Sequence, residues 1–384
     1  MHIAWLGKKS PFCGNVTYSR EVTNALLDRG HQVSFLHFAE EESESKNWWG
    51  SQEVMIPFLY KSQVYTIPTF TSAKVLTDSL KKLKPDIVHA SLTLSPLDFL
   101  LPEICSELEL PLIATFHTPY ARKGAKLKTG TQLLAYQLYA PFLINYDNVI
   151  IFSDIQKELL VRLGIPENKV TVIPNGVDTD KYSPGFSKFK NQFKGEKLFV
   201  YQGRIAIEKN VEALLKAWQK SKIWMEKDCK LIIVGDGPVR ATLEPFYGQE
   251  NGVIWLGFIG DDTQRIDILR GTDVFILPSL VEGLSLSLLE AMSCGIACVA
   301  TDVGADGEVL SQEAGIIVNP QRVVTELQTL LPLLKEHTGF TKKLGERARK
   351  RDLERYTLSS NITQVEQLYE KILQQQKVKL NWRY

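Results

Sequence analysis

The chain has 384 residues, which is more than one hydrophobic core usually organises, so we expect two domains. Hydrophobic residues make up 44% of the sequence and charged residues 23%, the proportions of an ordinary soluble globular protein. The formal net charge of +1 lacks the basic excess of proteins that coat nucleic acid, so we expect no nucleic-acid partner.

The cysteines and the apolar stretches indicate the compartment. The five cysteines are scattered, and no CxxC pair or cysteine–histidine cluster has zinc-site spacing, so we expect buried thiols in a reducing compartment and no metal. The opening MHIAWLG is typical of a first strand and not of a secretory leader, and LLAYQLYAPFLI at 133–144 is too short to span a bilayer. We therefore expect a cytoplasmic protein, or one attached peripherally to the cytoplasmic face of a membrane.

The first half of the chain alternates short apolar runs with helix-length segments. HIAWLG is followed by the helical pattern TYSREVTNALLDRG, and further strands are expected in HQVSFLHF, PDIVHAS, PLIATFH, NVIIFS and VTVIP. Near-continuous apolar strands separated by helices indicate a parallel sheet covered on both faces. This pattern predicts a doubly wound α/β domain over residues 1–185.

A basic, aromatic segment lies inside that first domain. No acid occurs between Glu109 and Asp147, aromatic residues are frequent there, and four cations crowd into ARKGAKLK: Arg122, Lys123, Lys126 and Lys128. This is the composition of an anchor to an anionic lipid surface, where each cation contributes roughly 1 kcal/mol. We assign Trp48 and Trp49 to the same lipid-facing or acceptor-facing surface. The alternative is a solvated basic loop before an ordinary buried helix.

The second half repeats the pattern after a punctuated stretch. Pro, Gly and Asp cluster in IPNGVDTDKYSPG at 173–185, which indicates a linker. Strands are then expected in KLFVYQG, KLIIVGDGP, VIWLGF, DVFILPS and ACVATD, so we predict a second doubly wound domain over 186–365. A C-terminal helix over 366–384 is expected to pack back on the first domain.

Two cations follow the first strand of the second domain. In VYQGRIAIEKN, Arg204 and Lys209 stand beside Gly203 at the carboxyl end of a predicted strand. An arginine fork and a lysine point charge together can neutralise a diphosphate without a metal. The alternative is a solvated basic loop.

Two acids lie eight positions apart in EGLSLSLLEAM. Glu282 belongs to the loop that leaves the strand DVFILPS, and Glu290 belongs to the second turn of a helix that should begin near Ser285. Ligands of open α/β sheets bind at this end of the strands, and Gly283 lets the backbone approach a ligand closely. Carboxylates here can accept ribose or sugar hydroxyls. The alternative for Glu290 is a cap or an ion pair on a helix face.

These motifs together resemble the retaining glycosyltransferases of family 4. The resemblance runs through VIPNGVD, GRIAIEKN, IVGDGP, WLGF, DVFILPS, EGLSLSLLEAM and DGEVL, and so covers almost the whole chain. It implies the α/β GT-B architecture, in which two doubly wound Rossmann-like domains face a central cleft. It also implies transfer from a nucleotide-diphosphate sugar donor with retention of configuration, no cofactor and no metal.

The resemblance implies a role for each residue of the second-domain motifs. Arg204 and Lys209, beside Gly203, would bind the donor diphosphate, and Glu290 would take the ribose hydroxyls. Glu282 would bind the donor sugar and its phosphate together with three backbone N–H groups, those of Gly283, Leu284 and Ser285.

In the first domain the resemblance implies two further positions. His117 of IATFHTPY matches the family's active-site histidine, which faces the donor sugar, although a histidine at a strand end is more often structural. The family usually has paired glycines in its first loop, which shapes the region near the leaving phosphate, whereas this chain has Gly14 followed by Asn15.

The opening MHIAWLGKKSPFCGNVTY also resembles a group of bacterial enzymes, the digalactosyldiacylglycerol synthases. That resemblance implies UDP-galactose as donor and monogalactosyldiacylglycerol, a membrane lipid, as acceptor. Four alternatives stay open: a family 4 enzyme with a soluble sugar or another lipid as acceptor, a nucleotide-sugar epimerase of the same architecture, a non-catalytic sugar-nucleotide binding protein, and an NAD-dependent dehydrogenase. The last lacks GxGxxG after a strand.

Overall fold

The structure, a computed structural model, describes residues 1–9, 13–38, 52–62, 65–119, 129–193 and 195–381. The chain forms two compact units. The first unit comprises Met1–Thr118, Leu133–Asn175 and Leu358–Tyr384, and the second comprises Pro119–Gln132 and Gly176–Thr357.

These boundaries differ from the ones expected from the sequence, 1–185, 186–365 and 366–384. The chain enters the second unit at Gly176 because the residues that follow are bonded to that unit. Arg270 Nε donates to the Ser183 carbonyl at 2.8 Å. Lys181 Nζ lies 2.5 Å from Asp262 Oδ2. The proline- and glycine-rich stretch is therefore largely part of the second unit.

The first unit is a parallel sheet with helices between its strands. Its strands are β1 (His2–Gly7), β2 (Gln32–His37), β3 (Gln52–Met55), β4 (Phe58–Lys61), β5 (Thr66–Pro68), β6 (Ile87–Ser91), β7 (Leu112–Thr115), β8 (Asn148–Ile151) and β9 (Val170–Val172). Its first five helices are α1 (Gly14–Asp28), α2 (Ser72–Leu83), α3 (Leu97–Glu107), α4 (Thr129–Leu143) and α5 (Asp154–Arg162). The sheet order is β3-β2-β1-β6-β7-β8-β9, and every pair is parallel.

Strands β4 and β5 form a separate antiparallel ribbon that the sequence analysis did not anticipate. Two lysines tie the ribbon to the main sheet. Lys8 Nζ donates to the Ser62 carbonyl at 3.2 Å, and Lys61 Nζ donates to the Phe38 carbonyl at 3.0 Å. Lys8 follows β1 and Phe38 follows β2, so the ribbon lies at the carboxyl edge of the first sheet.

The second unit repeats the same winding. Its strands are β10 (Lys197–Gln202), β11 (Cys229–Val234), β12 (Val253–Gly257), β13 (Val274–Leu277), β14 (Ala297–Thr301) and β15 (Ile316–Val318). Its helices are α6 (Val211–Ser221), α7 (Arg240–Leu243), α8 (Asp262–Arg270), α9 (Leu286–Ser293), α10 (Asp306–Val309), α11 (Val323–Glu336) and α12 (Thr338–Arg355). The parallel order β12-β11-β10-β13-β14-β15 confirms the prediction of a second doubly wound sheet.

Buried apolar side chains explain why these segments fold as strands covered on both faces. One core cluster of the second unit joins residues from β10, β11 and α8 with one loop residue: Val200, Ile232, Val234, Ile268 and Ile259. Because strands of this kind are apolar on both faces, polar side chains concentrate where the strands end. The carboxyl ends of each sheet are therefore the places where polar side chains could form a binding site.

The last helix, α13 (Leu358–Asn381), belongs to the first unit and not to the second. It begins at Leu358, ahead of the predicted start at residue 366. Arg29 Nη1 and His31 Nε2 lie 2.5 and 2.7 Å from the Glu366 carboxylate. Tyr369 is buried, and its hydroxyl lies 2.5 Å from His89 Nδ1 on β6. These contacts fix the helix against the first sheet.

Candidate active site

The second unit brings Lys209 and Glu282 together at the carboxyl ends of neighbouring strands β10 and β13. Lys209 Nζ lies 2.5 Å from Glu282 Oε1, and Ser279 Oγ donates to the same oxygen at 2.7 Å. Glu282 is buried, so its carboxylate needs these partners. A second bond, from the Leu280 N–H to the Glu208 carbonyl at 2.8 Å, joins the two loops.

Arg204 lies in the same loop as Lys209 and pairs with a different acid. Its guanidinium contacts Glu208, four residues later, and its carbonyl accepts the Tyr201 hydroxyl at 2.7 Å. The Arg204 side chain is 37% exposed. An ion pair with this exposure contributes little to stability, so a phosphate can replace the carboxylate at small cost. Both predicted cations thus have acidic partners, which the sequence analysis did not foresee.

Two glycines of the GDG turn hold the Arg204 loop in place. Gly235 has a φ of +136°, and a Cβ there would lie 1.8 Å from the Gly203 carbonyl oxygen. Gly237 has a φ of +158°, and a Cβ there would lie 2.4 Å from the Ile205 carbonyl oxygen. The Gly203 N–H donates to the Val234 carbonyl at 3.0 Å. This close packing of backbone on backbone explains why the turn after β11 has glycine at both positions.

The loop from Glu282 to Ser285 is bonded to a second segment, 304–306, for which the sequence predicted no role. Ser285 is the N-cap of α9, its Oγ accepts the Leu288 N–H at 3.4 Å, and its own N–H donates to Asp306 Oδ1 at 3.1 Å. Burial and the Glu282 charge raise the pKa of Asp306 well above its ordinary value. Gly304 has a φ of +54°, and a Cβ there would lie 2.3 Å from the Glu282 carbonyl oxygen.

This loop corrects one expectation about backbone donors. We expected the N–H groups of Gly283, Leu284 and Ser285 to serve a ligand, but Asp306 already accepts the Ser285 N–H. Asp306 is the first residue of DGEVL, one of the segments that carry the family resemblance, but the sequence analysis gave it no role. Since Asp306 is distant in sequence and lies in a short helix, its partner could not be read from local spacing.

Glu290 is buried on α9 and is bonded within the unit. Gln202 Nε2 donates to Glu290 Oε2 at 2.8 Å. Burial raises the pKa of the Glu290 carboxyl, while the Arg265 charge and a hydrogen bond from the Tyr182 hydroxyl oppose that rise. Two roles for Glu290 therefore remain supported. Its partners within the protein fit a structural role, and its position near the end of β10 that carries the cations fits a ligand-binding role. The sequence analysis missed Gln202 and Arg265.

The first unit holds His117 in a neutral, hydrogen-bonded setting. His117 follows β7 and is half-buried, and its Nε2 lies 2.9 Å from Ser91 Oγ at the end of β6. The rings of Tyr18 and Phe152 lie 4.9 and 5.2 Å away between centroids. Burial and the charge of Lys8 lower the pKa of His117 to about 3. The imidazole is therefore uncharged near neutral pH.

Gly14 is the exposed first residue of α1, and the next residue, Asn15, reaches toward His117. A Cβ at Gly14 would meet nothing within 4 Å, so this chain's own packing does not require a glycine there. Asn15 Oδ1 accepts a hydrogen bond from Ser91 Oγ at 2.7 Å. The structure thus joins the predicted Gly14 loop to the predicted histidine through Ser91, which sequence reasoning did not single out.

All six predicted membrane or acceptor residues lie outside the described residues: Trp48, Trp49, Arg122, Lys123, Lys126 and Lys128. The helix that follows them, α4, exposes Leu133, Leu134 and Leu138 and buries Tyr136 and Tyr139. Among the described residues, no helix combines the length and apolarity needed to cross a bilayer. The same part of the chain contains no group of His, Cys, Asp and Glu side chains that could hold a metal.

Comparison with known proteins assigns the two units to one enzyme class. Residues 13–181 match the family described as Glycosyltransferase Family 4, and residues 185–351 match the family described as Glycosyl transferases group 1. The chain is a family 4 glycosyltransferase. It is 25% identical to the sulfoquinovosyl transferase SQD2 of Arabidopsis thaliana, over 94% of this chain and 69% of that protein. It is 27% identical to the alpha-monoglucosyldiacylglycerol synthase of Streptococcus pneumoniae, over 75% of this chain and 67% of that enzyme.

A solved structure shows the fold of this glycosyltransferase. HepE of Anabaena, in complex with UDP, superposes with a TM-score of 0.76 at 18% identity, covering 97% of this chain and 100% of that one. The predicted GT-B fold is therefore confirmed.

Proposed function

We propose that this glycosyltransferase moves a hexose, galactose from UDP-galactose, onto a membrane glycolipid of the monogalactosyldiacylglycerol type, giving digalactosyldiacylglycerol with retention of configuration. The observation that carries the donor part is the second-unit cluster of Arg204, Lys209, Glu282 and Glu290 at one edge of a Rossmann-like sheet. The lipid acceptor is supported by the pneumococcal relative, an alpha-monoglucosyldiacylglycerol synthase, and by the opening residues of the chain.

The two cations take the diphosphate by exchanging partners. Arg204 would leave Glu208, which is partly exposed, and Lys209 would turn from Glu282 toward phosphate oxygens. Glu282, freed in this way, accepts hydroxyls of the donor sugar while Ser279 keeps it oriented. The ion pairs thus hold both cations in position before the nucleotide sugar binds. The two cations can neutralise the diphosphate without a metal.

Glu290 is proposed to accept the ribose hydroxyls of the nucleotide. Gln202 holds one of its oxygens and Arg265 supplies a facing charge, so the carboxylate stays in one orientation. UDP as the nucleotide is supported by the complex of HepE, which shares this fold. A rigid, buried acceptor suits a diol because both hydroxyls of a ribose can donate to one carboxylate.

Transfer itself breaks the bond between the anomeric carbon and the diphosphate oxygen. The electron pair goes to that oxygen, where Arg204 and Lys209 stabilise the developing charge. The acceptor hydroxyl forms the new glycosidic bond, and its proton passes to the leaving diphosphate on the same face. His117, being neutral, contacts the sugar without adding a charge. The protein contributes mainly orientation and electrostatic stabilisation.

The lipid acceptor is supported by exposed apolar side chains of the first unit. Helix α4 exposes Leu134 to 62% and Leu138 to 55%. The β4–β5 ribbon, at the carboxyl edge of the first sheet, exposes Leu59 to 67% and Ile67 to 40%, and Phe70 just after it is fully exposed. Apolar groups of this size on a globular surface are typical of a membrane contact. The basic segment at 122–128 would add attraction to anionic lipid.

The test is incubation with a panel of labelled UDP-sugars and liposomes that contain monogalactosyldiacylglycerol, followed by chromatography of the organic phase. We expect label in the lipid fraction with UDP-galactose, an α-configured product, and unchanged turnover in EDTA. Label only in a soluble product would contradict the lipid acceptor. Conversion of the donor alone, without any acceptor, would favour an epimerase, and binding without release of UDP would favour a non-catalytic protein.

A further inference from the structure

A short chain of hydrogen bonds runs from a backbone carbonyl to His117 in the first unit. Asn15 Nδ2 donates to the Leu92 carbonyl at 3.0 Å, and Ser91 Oγ donates to Asn15 Oδ1 at 2.7 Å. The Ser91 oxygen in turn lies 2.9 Å from His117 Nε2. The chain exists because residue 15 is asparagine, where the family resemblance leads us to expect a second glycine, which has no side chain.

Each link in this chain has only one possible direction. A backbone carbonyl can only accept, so the Asn15 atom that faces Leu92 must be the amide nitrogen. The amide oxygen then faces Ser91, and it too can only accept, so the single hydroxyl proton of Ser91 is donated to Asn15. The Ser91 oxygen can therefore only accept from His117, which places the ring proton on Nε2.

The distances favour this arrangement over one competitor. Ser19 Oγ could satisfy Asn15 Oδ1 in place of Ser91, but that contact measures 3.4 Å against 2.7 Å for Ser91. A hydroxyl–oxygen bond is weak at the longer distance, so Ser91 is the donor to Asn15. Ser19 also lies 3.2 Å from Ser91 Oγ and donates there, which leaves the direction of the chain unchanged.

We propose that Asn15 and Ser91 are positioning residues that hold His117 as the Nε2–H tautomer and leave its Nδ1 as a hydrogen-bond acceptor for a hydroxyl of the transferred sugar. This inference rests on the proposed function for the identity of the ligand. Within the described residues no hydrogen-bond partner of Nδ1 is found. An unprotonated Nδ1 cannot donate to a phosphate oxygen, so the partner that fits it is a donor group such as a sugar hydroxyl.

The aromatic rings beside His117 orient its imidazole but do not select its tautomer. The edge-on ring of Tyr18 and the tilted ring of Phe152 fix the plane of the imidazole, but neither supplies a strong hydrogen bond that could choose between its two nitrogens. Plane and tautomer are thus set by different side chains. Removing the Asn15 amide should therefore alter the tautomer without moving the ring.

The direct test is nitrogen NMR of the protein carrying ¹⁵N-labelled histidine, with His117→Gln to assign the resonance. The wild type should show the Nε2–H tautomer alone. Asn15→Gly releases the Ser91 proton, so Nδ1–H should appear beside Nε2–H. Ser91→Ala removes the partner of Nε2 and should have the same effect. Equal melting temperatures of the three proteins show that the fold is intact.

The kinetic test uses monodeoxy analogues of the donor sugar. With the complete donor, Asn15→Gly should lower kcat by about tenfold, the scale of one good hydrogen bond, and leave the KM for the lipid unchanged. With the one analogue that lacks the partner hydroxyl, the same substitution should leave kcat unchanged. A penalty equal for all analogues would overturn the hydroxyl contact.

The two readouts separate this inference from the proposed function. The NMR measurement needs no donor, so a protein that transfers no sugar would contradict the proposed function while still testing the tautomer. Wild-type His117 found as Nδ1–H, or an unchanged tautomer in Asn15→Gly, would overturn the positioning role even in an active galactosyltransferase.

Discussion

The polar clusters of the two units differ in kind. In the second unit, charged side chains stand in ion pairs at the ends of β10 and β13, with Lys209 on Glu282 and Arg204 on Glu208. In the first unit, His117 is neutral and its contacts are hydrogen bonds and aromatic rings. The second unit thus concentrates charge at the ends of these strands, whereas the contacts described for His117 in the first unit carry no charge.

The largest effect should come from the charged cluster. We proposed that Arg204 stabilises the leaving diphosphate, so we expect Arg204→Ala to lower turnover by about two orders of magnitude or more. The measurement is kcat with saturating donor and lipid. Arg162→Ala is the matched control, because Arg162 also pairs with an acid four residues away, Glu158, and lies on the surface of α5. Equal activity of the two variants would contradict a special role for the charged cluster of the second unit.

The next effect concerns the exposed leucines of the first unit. Replacing Leu134 and Leu138 with serine removes apolar surface from α4. We expect vesicle association to weaken by about tenfold or more, since burying even one of these leucines in a membrane would contribute roughly 1.5–3 kcal/mol. Liposome flotation measures this. The control is the same pair of changes at Leu333 and Leu353, which are similarly exposed in the second unit. If both pairs weaken association alike, membrane contact is not a property of the first unit.

A smaller effect is expected at Glu290. Glu290→Gln keeps the bond to Gln202 possible but removes the charge, so the donor KM should rise by about tenfold, the cost of weakening a charge-assisted hydrogen bond. The KM for the lipid and the melting temperature should not change. An unchanged donor KM together with a lower melting temperature would assign Glu290 a purely structural role.

The smallest effect on activity is expected at Asp352, where the prediction concerns stability and pH. Burial raises the pKa of Asp352 on α12 to about 8, so the folded protein holds this proton between its ordinary pKa of 3.8 and about 8 while the unfolded chain loses it. The free energy of unfolding therefore falls as pH rises through that window, by up to about 1.4 kcal/mol per unit. Asp352→Asn should remove this loss, and denaturant titrations at several pH values measure the difference.

In the first unit, the pKa of His89 makes the free energy of unfolding change with pH in the opposite direction. Burial and the neighbouring His117 lower the pKa of His89 to about 3 from an ordinary 6.5, so its contribution to stability is lost as pH falls through that range.

Asp180→Asn, at an exposed position, serves as the control for Asp352→Asn. A variant curve parallel to the wild type would show that Asp352 is not protonated in the folded protein.

Local patterns were sufficient to predict the fold, and they also singled out side chains that the structure brings close together in the second unit. Apolar runs and helix-length spacings gave both doubly wound sheets, and the capping serine at 285 was found where α9 begins. Loops at the ends of strands led to the choice of Arg204, Lys209, Glu282 and Glu290, because a ligand edge can be inferred once the strands are known. Their roles stay predictions.

Contacts between distant segments could not be predicted in the same way. Asp306 meets Ser285, and Ser91 meets Asn15 and His117, only after the sheets have formed. The ribbon of β4 and β5 lacks the long apolar runs of the sheet strands, and so it gave no clear pattern. The unit boundaries were misplaced because proline and glycine mark a turn of the chain without indicating which unit its residues contact.

The return of α13 to the first unit has a consequence for biosynthesis. Tyr369 and Glu366 complete contacts with β6 and with the end of α1, yet they are translated after the whole second unit. On the ribosome the first sheet therefore waits for its final helix while the second unit can already fold. A nascent chain that is released early would expose the face that α13 covers, and it would be a natural substrate for chaperones.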